Sequence, residues 1–166
     1  MRPTLQIAHL LGILRCVSGR KKFQKMVHIL QELGHPFPQR FEYSYYGMYS
    51  QQLRNELDAL CDDDLIKEAK GSTGFGDPTY SFEATSTLDT ILKEVGLEEK
   101  TKWSKLAQRL NDLDAQTLEA ISTILFLRRR GLAGDELKTR VLSLKPHLNA
   151  IYLEAHKQLQ YLEKEK

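Results

Sequence analysis

Cysteine is nearly absent. The chain of 166 residues holds two, Cys16 and Cys61, far apart and outside any CxxC pair. That spacing gives no support to a zinc knuckle. Each cysteine sits within an apolar helical pattern, so the expectation is a small buried hydrophobe and no disulfide. Of the five histidines (His9, His28, His35, His147 and His156), no two flank a carboxylate one helical turn apart. A helical metalloenzyme motif is therefore missing, and no metal or cofactor is expected. Ser18, Ser50 and Ser104 lack the context of a nucleophile elbow. No apolar run reaches the roughly 20 residues of a membrane span. The start of the chain has no cleavable signal pattern, which makes the cytoplasm the expected location. Charge of one sign is missing too: the net charge of +2 selects no partner. With 41% hydrophobic and 28% charged residues the chain is no disordered polymer. A nucleophile with its base and orienting group is nowhere visible, so the expectation is a protein that is not an enzyme.

What is present is helical periodicity. Thr4 to Val17 carries apolar residues at 7, 10, 11, 14 and 17, the spacing of one helix face. After Gly19, the segment Arg20 to Leu33 places Phe23, Val27, Leu30 and Leu33 on one face. Lys21, Lys25, His28 and Glu32 lie opposite, on a face expected to be solvated. Gly34, Pro36 and Pro38 stop that helix. The aromatic run Phe41 to Tyr46 reads as a short strand ended by Gly47. Ser50 suits an N-cap, before a helix bearing Leu53, Leu57 and Leu60 and closed by Asp62-Asp63-Asp64. Leu65 to Lys70 and Thr79 to Ala84 read as two strands of a hairpin, joined by the glycine-rich turn from Gly71 to Pro78. That turn lacks a GK[ST] ending and runs into a strand, so it is a hairpin tip and no phosphate loop.

From Ser86 the pattern is helical throughout. A connecting helix spans Ser86 to Val95, and Glu98 to Leu110 follows with Trp103 and Leu106 inward. Ala115 to Arg130 is the most apolar helix; Arg128-Arg129-Arg130 end it, where cations suit the carbonyl end of the dipole. Gly134 to Leu144 is short, and Pro146 is expected to open the last helix. In that helix Leu148, Tyr152, Ala155, Leu159 and Leu162 recur at alternating spacings of four and three. This is a heptad seam, satisfied either by a second copy in a homodimer or by the chain's own helix 115–130.

Helix, helix, short strand, helix and hairpin is the order of a winged helix-turn-helix. The expected fold is mainly α with a small β hairpin: residues 1–84 form the winged helix, and residues 85–166 a helical part packed on it. The acidic Glu98-Glu99 step is a further candidate boundary, without the composition of a linker. In a winged helix the third helix enters the major groove and the hairpin tip touches backbone. Gln51, Arg54 and Asn55 suit base edges there, with Ser50 at the helix start. The cluster Arg20, Lys21, Lys22 and Lys25, with Lys70 and Thr73 on the hairpin, would supply phosphate contacts. Glu56, Asp58 and Asp62 to Asp64 oppose them.

The run from Gly19-Arg20-Lys21-Lys22 to Leu30, the turn Tyr46-Gly47-Met48-Tyr49-Ser50 and the leucines 53, 57 and 60 together resemble the YwgA-like family of uncharacterised bacterial proteins. The family pattern runs GRKKLQK, an aromatic strand, YGPYS, then a leucine-bearing helix before a hairpin. Met48 stands here where that pattern has proline. The resemblance extends to helix 115–130 and to Leu144-Lys145-Pro146-His147-Leu148, and so covers most of the chain. A more distant resemblance, to SocA-like or Panacea antitoxin domains, rests on the basic helix start and the tyrosine-glycine turn. Neither implies catalytic residues. The leading expectation is a regulatory protein binding double-stranded DNA. The alternative is an antitoxin- or adaptor-like module that holds a protein partner, with no membrane involved in either case.

Overall fold

Pro3 occupies the first turn of helix α1 (Pro3–Leu14), where its missing N–H has no partner to lose. The computed structural model describes residues 2–97 and 100–165. Helix α1 stops three residues earlier than the apolar spacing suggests. Arg15 adopts a positive φ of 66°, and Cys16–Val17 leave the helix to form strand β1. Helix α2 (Arg20–Glu32) begins after Gly19, whose φ of 101° favours glycine. A two-stranded hairpin follows, β2 (Glu42–Ser44) with β3 (Gly47–Tyr49), where the sequence indicates a single strand. Helix α3 (Gln51–Asp62) is capped by Ser50, whose hydroxyl accepts from the Leu53 amide at 3.1 Å.

Strands β4 (Ile66–Ser72) and β5 (Pro78–Ala84) pair antiparallel, and β1 adds to the other edge of β5, giving the order β1-β5-β4. Thr85 then caps helix α4 (Ser86–Glu94), and its hydroxyl donates to the Asp64 and Leu65 carbonyls, tying the helix to the foot of the sheet. Helices α5 (Ser104–Asp112), α6 (Ala115–Arg129), α7 (Gly134–Leu144) and α8 (Tyr152–Lys164) complete the chain. The protein is thus mostly helical, with two small antiparallel sheets. The Glu98-Glu99 step lies outside the described residues. Pro146 opens a 3-10 turn (Pro146–Leu148) and not the last helix, which starts at Tyr152.

Two helices organise the interior. Every residue of α2 from Phe23 to Leu30 is buried, because α5, α6 and β3 pack around it. A helix covered on all sides is a core helix, whatever its polar composition. The supposedly solvated face of Lys21, Lys25, His28 and Glu32 is therefore mostly interior; only Lys21 is exposed. Helix α6 is buried along most of its length and bears α8 on another side. Leu148, Tyr152, Ala155, Leu159 and Leu162 are all buried within the subunit. With α8 packed on the chain's own α6 and the 3-10 turn on α7, all five are covered within the subunit and none is offered at its surface. One apolar cluster joins residues of both halves, from Ile7 and Phe23 to Ile121 and Leu159. The arginines that end α6 find internal partners: Arg128 pairs with Glu163, Arg129 with Glu32, and Arg130 lies over Phe126. Cysteine departs from expectation, since Cys16 is exposed and Cys61 only half-buried.

His28 shows what covering α2 costs. Its Nδ1 meets the Ser122 hydroxyl at 2.7 Å, and its ring lies 5.2 Å from that of Phe41. Glu32, 3.8 Å from Nε2, is shared with Arg129. Burial, reinforced by Lys25 and Arg129, lowers the imidazole from its ordinary 6.5 to about 3. The folded state therefore keeps His28 neutral while the unfolded chain takes a proton below pH 6.5. Its contribution is complete above that pH and is lost as acid is added towards pH 3. Between pH 6 and 4, unfolding free energy should fall more steeply for the wild type than for His28→Gln, by up to about 1.4 kcal/mol per pH unit. Identical slopes in denaturant titrations would contradict a buried neutral imidazole.

Candidate functional site

The basic run at the start of α2 does not form a free cationic face. Arg20 holds Glu68 in a two-pronged pair, both distances 3.1 Å, and reaches Asp58 at 2.6 Å. The hydrogen bonds it donates to Glu68, then Asp58, raise its already high pKa despite partial burial. Lys22 donates to the Asn111 carbonyl, and burial lowers its pKa. Lys25 is only 6% exposed and donates to the carbonyls of Tyr46 and Met48, each at 2.7 Å. Lys21 alone is exposed, with its ammonium 4.4 Å from the centre of the Tyr46 ring. Three of the four cations in the α2 cluster are thus engaged inside the molecule.

Of the three, Lys25 holds the Tyr45-Tyr46-Gly47 turn between β2 and β3. Lys145, in the link after α7, reaches the same turn, its ammonium beside Gly47 like that of Lys25. It donates to the Tyr45 carbonyl at 3.2 Å and pairs with Glu119 of α6 at 3.1 Å. His147 meets the second oxygen of Glu119 at 3.2 Å. Burial pushes the Glu119 carboxyl up, but hydrogen bonds from His147 and Lys145 outweigh it and the net shift is downward. Burial, opposed by Glu119 and aided by Lys145 and Lys21, brings Lys25 down from 10.5 to about 8. Lys25 thus stays largely protonated at neutral pH. Glu119, Lys145, His147 and the two tyrosines are given no site role by the sequence, although Tyr46, Lys145 and His147 lie in the segments that carry the family resemblance. The available signal was a lysine between apolar residues ahead of Pro146, in a segment noted only for its resemblance.

Tyr45 is 89% exposed, and Tyr46 lies edge-on to it at 5.1 Å. A cavity flanks the turn on each side. One, of about 700 Å³, runs along α3 past Tyr46, Tyr49, Arg54 and Leu57. The other, of about 410 Å³, lies between α2, the turn and the start of α6.

The remaining sequence candidates are divided. Gln51, Arg54 and Asn55 are exposed at the start of α3, with the Gln51 amide bonded to Asn55 at 2.9 Å. Ser50 is fully buried; its hydroxyl caps α3 and its amide donates to Gln24. Lys70 and Thr73 are exposed on the second hairpin, where the Thr73 hydroxyl accepts from the Phe75 and Asp77 amides. Among the described residues no group of histidine, cysteine and carboxylate side chains could hold a metal ion, and no helix is long and apolar enough to cross a membrane.

Gly47 is required twice. Its φ is 83°, and a Cβ there would come within 3.3 Å of the Lys25 ammonium. Gly131 shares the positive φ, at 91°, but has open space around it. In denaturant unfolding Gly131→Ala should cost about 1–2 kcal/mol of backbone strain, and Gly47→Ala distinctly more. Equal losses would contradict a close lysine contact at the turn.

Comparison with known proteins comes down to sequence. No family profile matches the chain, and no solved structure does. The uncharacterised protein YwgA of Bacillus subtilis (strain 168) is 30% identical over 147 residues, spanning 89% of this chain and 86% of that one. That span takes in the basic start of α2, the tyrosine turn and the Lys145 link alike. At this identity and coverage, the chain belongs to the YwgA-like family.

Proposed function

We propose that the chain is a non-enzymatic binding module, built on a winged helix, whose partner is a protein. The order α1, β1, α2, α3, β4, β5, with the β2–β3 hairpin inserted between α2 and α3 and with β1 on the outer edge of β5, supports the winged-helix reading. In that arrangement α3 is the recognition helix and the turn around Phe75, which is 97% exposed, is the wing tip. DNA affinity on such a frame comes mainly from cations that meet phosphates. Here Arg20, Lys22 and Lys25 bind carboxylates and carbonyls of their own chain. From α3 to the end of β5, three cationic residues (Arg54, Lys67 and Lys70) stand against eight carboxylates. That balance carries the conclusion.

The surface beside α3 has the composition of a protein interface. Tyr45, Tyr46, Tyr49 and Arg54 border the larger cavity, and tyrosine and arginine are the residue types that anchor protein contacts. The second reading, binding of double-stranded DNA, is favoured by the exposed Gln51, Arg54 and Asn55 at the helix start. The two are separated by salt and by location. A pool of random duplexes should show no retardation at micromolar protein in 50 mM salt. A photo-crosslinking residue in place of Tyr46 should give one discrete protein adduct in cells of the source organism, and one in place of Tyr161 on α8 should not. Retardation that collapses between 50 and 200 mM salt and disappears in Arg54→Glu/Lys70→Glu would overturn the protein reading in favour of DNA.

A further inference from the structure

We infer that the cavity between α2, the tyrosine turn and the start of α6 binds a phosphate-bearing small molecule. Its walls carry Lys21, Lys22, Lys25, Lys145 and His147, against the single carboxylate of Glu119. The volume of about 410 Å³ falls in the range of small-molecule pockets and exceeds what a bare phosphate fills. Tyr45 and Tyr46 at the rim offer aromatic faces to the remainder of the ligand.

The buried lysine is the feature that asks for an anion. Taking a cation out of water is costly unless it is paired. Lys25 has no carboxylate within ion-pairing distance among the described residues; its two hydrogen bonds go to neutral carbonyls. An ammonium has three protons to donate, so one has no protein acceptor among those residues. Lys145, which faces the same side of Gly47, gives one hydrogen bond to Tyr45 and shares Glu119 with His147. The first turn of α6, at Ala115 and Gln116, closes the opposite wall with the positive end of a helix of 15 residues, partly offset by its capping Asp114.

The donor set points to phosphate over carboxylate. No arginine lines the cavity, so the flat two-pronged geometry that suits carboxylates is missing. Lysines approaching from several directions suit a tetrahedral anion. The site adjoins the α3 surface, sharing Lys21, Lys25 and the Tyr45-Tyr46 turn with the cavity there, but Lys145, His147 and the start of α6 belong to it and not to that cavity. It holds whether the partner on α3 is protein or DNA.

The direct probe is inorganic phosphate, titrated against protein with ¹⁵N-labelled lysine side chains, with chloride at matched ionic strength as control. The Lys25 ammonium resonance should shift saturably with phosphate at low millimolar concentration, and its titration midpoint should move upward. Gln116→Glu places a carboxylate at the exposed end of the cavity without touching the buried lysines, and should weaken phosphate at least tenfold. Lys21→Gln, also exposed, should weaken it at least threefold, and both variants should melt as the wild type does. If a variant melts early, its affinity is read at a temperature where it is folded. A phosphate response no different from chloride, or Gln116→Glu binding within threefold of wild type, would overturn the proposal.

Discussion

A single buried ammonium sets the geometry on which the rest depends. Lys25 projects from the middle of a helix covered on all sides, where a bare charge is unaffordable. It is accommodated because the chain folds the Tyr45-Tyr46-Gly47 turn back over α2 and offers it two carbonyls. That approach needs a residue without a Cβ at position 47 and a backbone in the left-handed region, and glycine supplies both. Lys145 fixes the same turn from α7 and is itself held by Glu119 of α6. The two halves of the sequence are thereby joined through polar contacts as well as through the shared apolar core.

The turn is pinned by its backbone, so its side chains face outward. Tyr45 and Tyr46 stand in solvent with a cavity on each side. The cavity along α3 has an aromatic and arginine rim, as a protein contact would require. The other is cationic, fitting a small anion. Occupation of the second would bear on the first, because both rest on a turn held by the same two lysines. Two binding events on one rigid element are coupled whenever either shifts its position.

Much of the architecture was legible because it follows from short-range rules. Ser50 caps α3, glycines punctuate the helices, and two paired strands meet at a glycine-rich turn, as local spacing indicates, although the strands run on through Ser72 and from Pro78 and leave the turn only residues 73–77. The failures share one cause, which is long-range packing. A polar stripe of Lys25 and His28 looks solvated until α6 is laid across it. A heptad seam on α8 looks like a dimer interface until the chain's own α6 fills it. Lys145 could not be connected to residue 45 from sequence, because the contact spans a hundred positions and has no local signature. The basic cluster reads as an open cationic face for the same reason: the acceptors that engage Arg20, Lys22 and Lys25 lie in β4, α3, the tyrosine turn with β3, and the end of α5.

The central claim is that Lys25 holds the tyrosine turn by its charge and not merely by its bulk. Amide hydrogen exchange in Lys25→Met, which keeps an unbranched side chain of similar length without the ammonium, tests this most directly. The account predicts that protection at Gly47, Met48 and Tyr49 falls at least tenfold while protection in the middle of α6 stays within a factor of three. Unchanged protection across β3, with α6 equally unchanged, would contradict it.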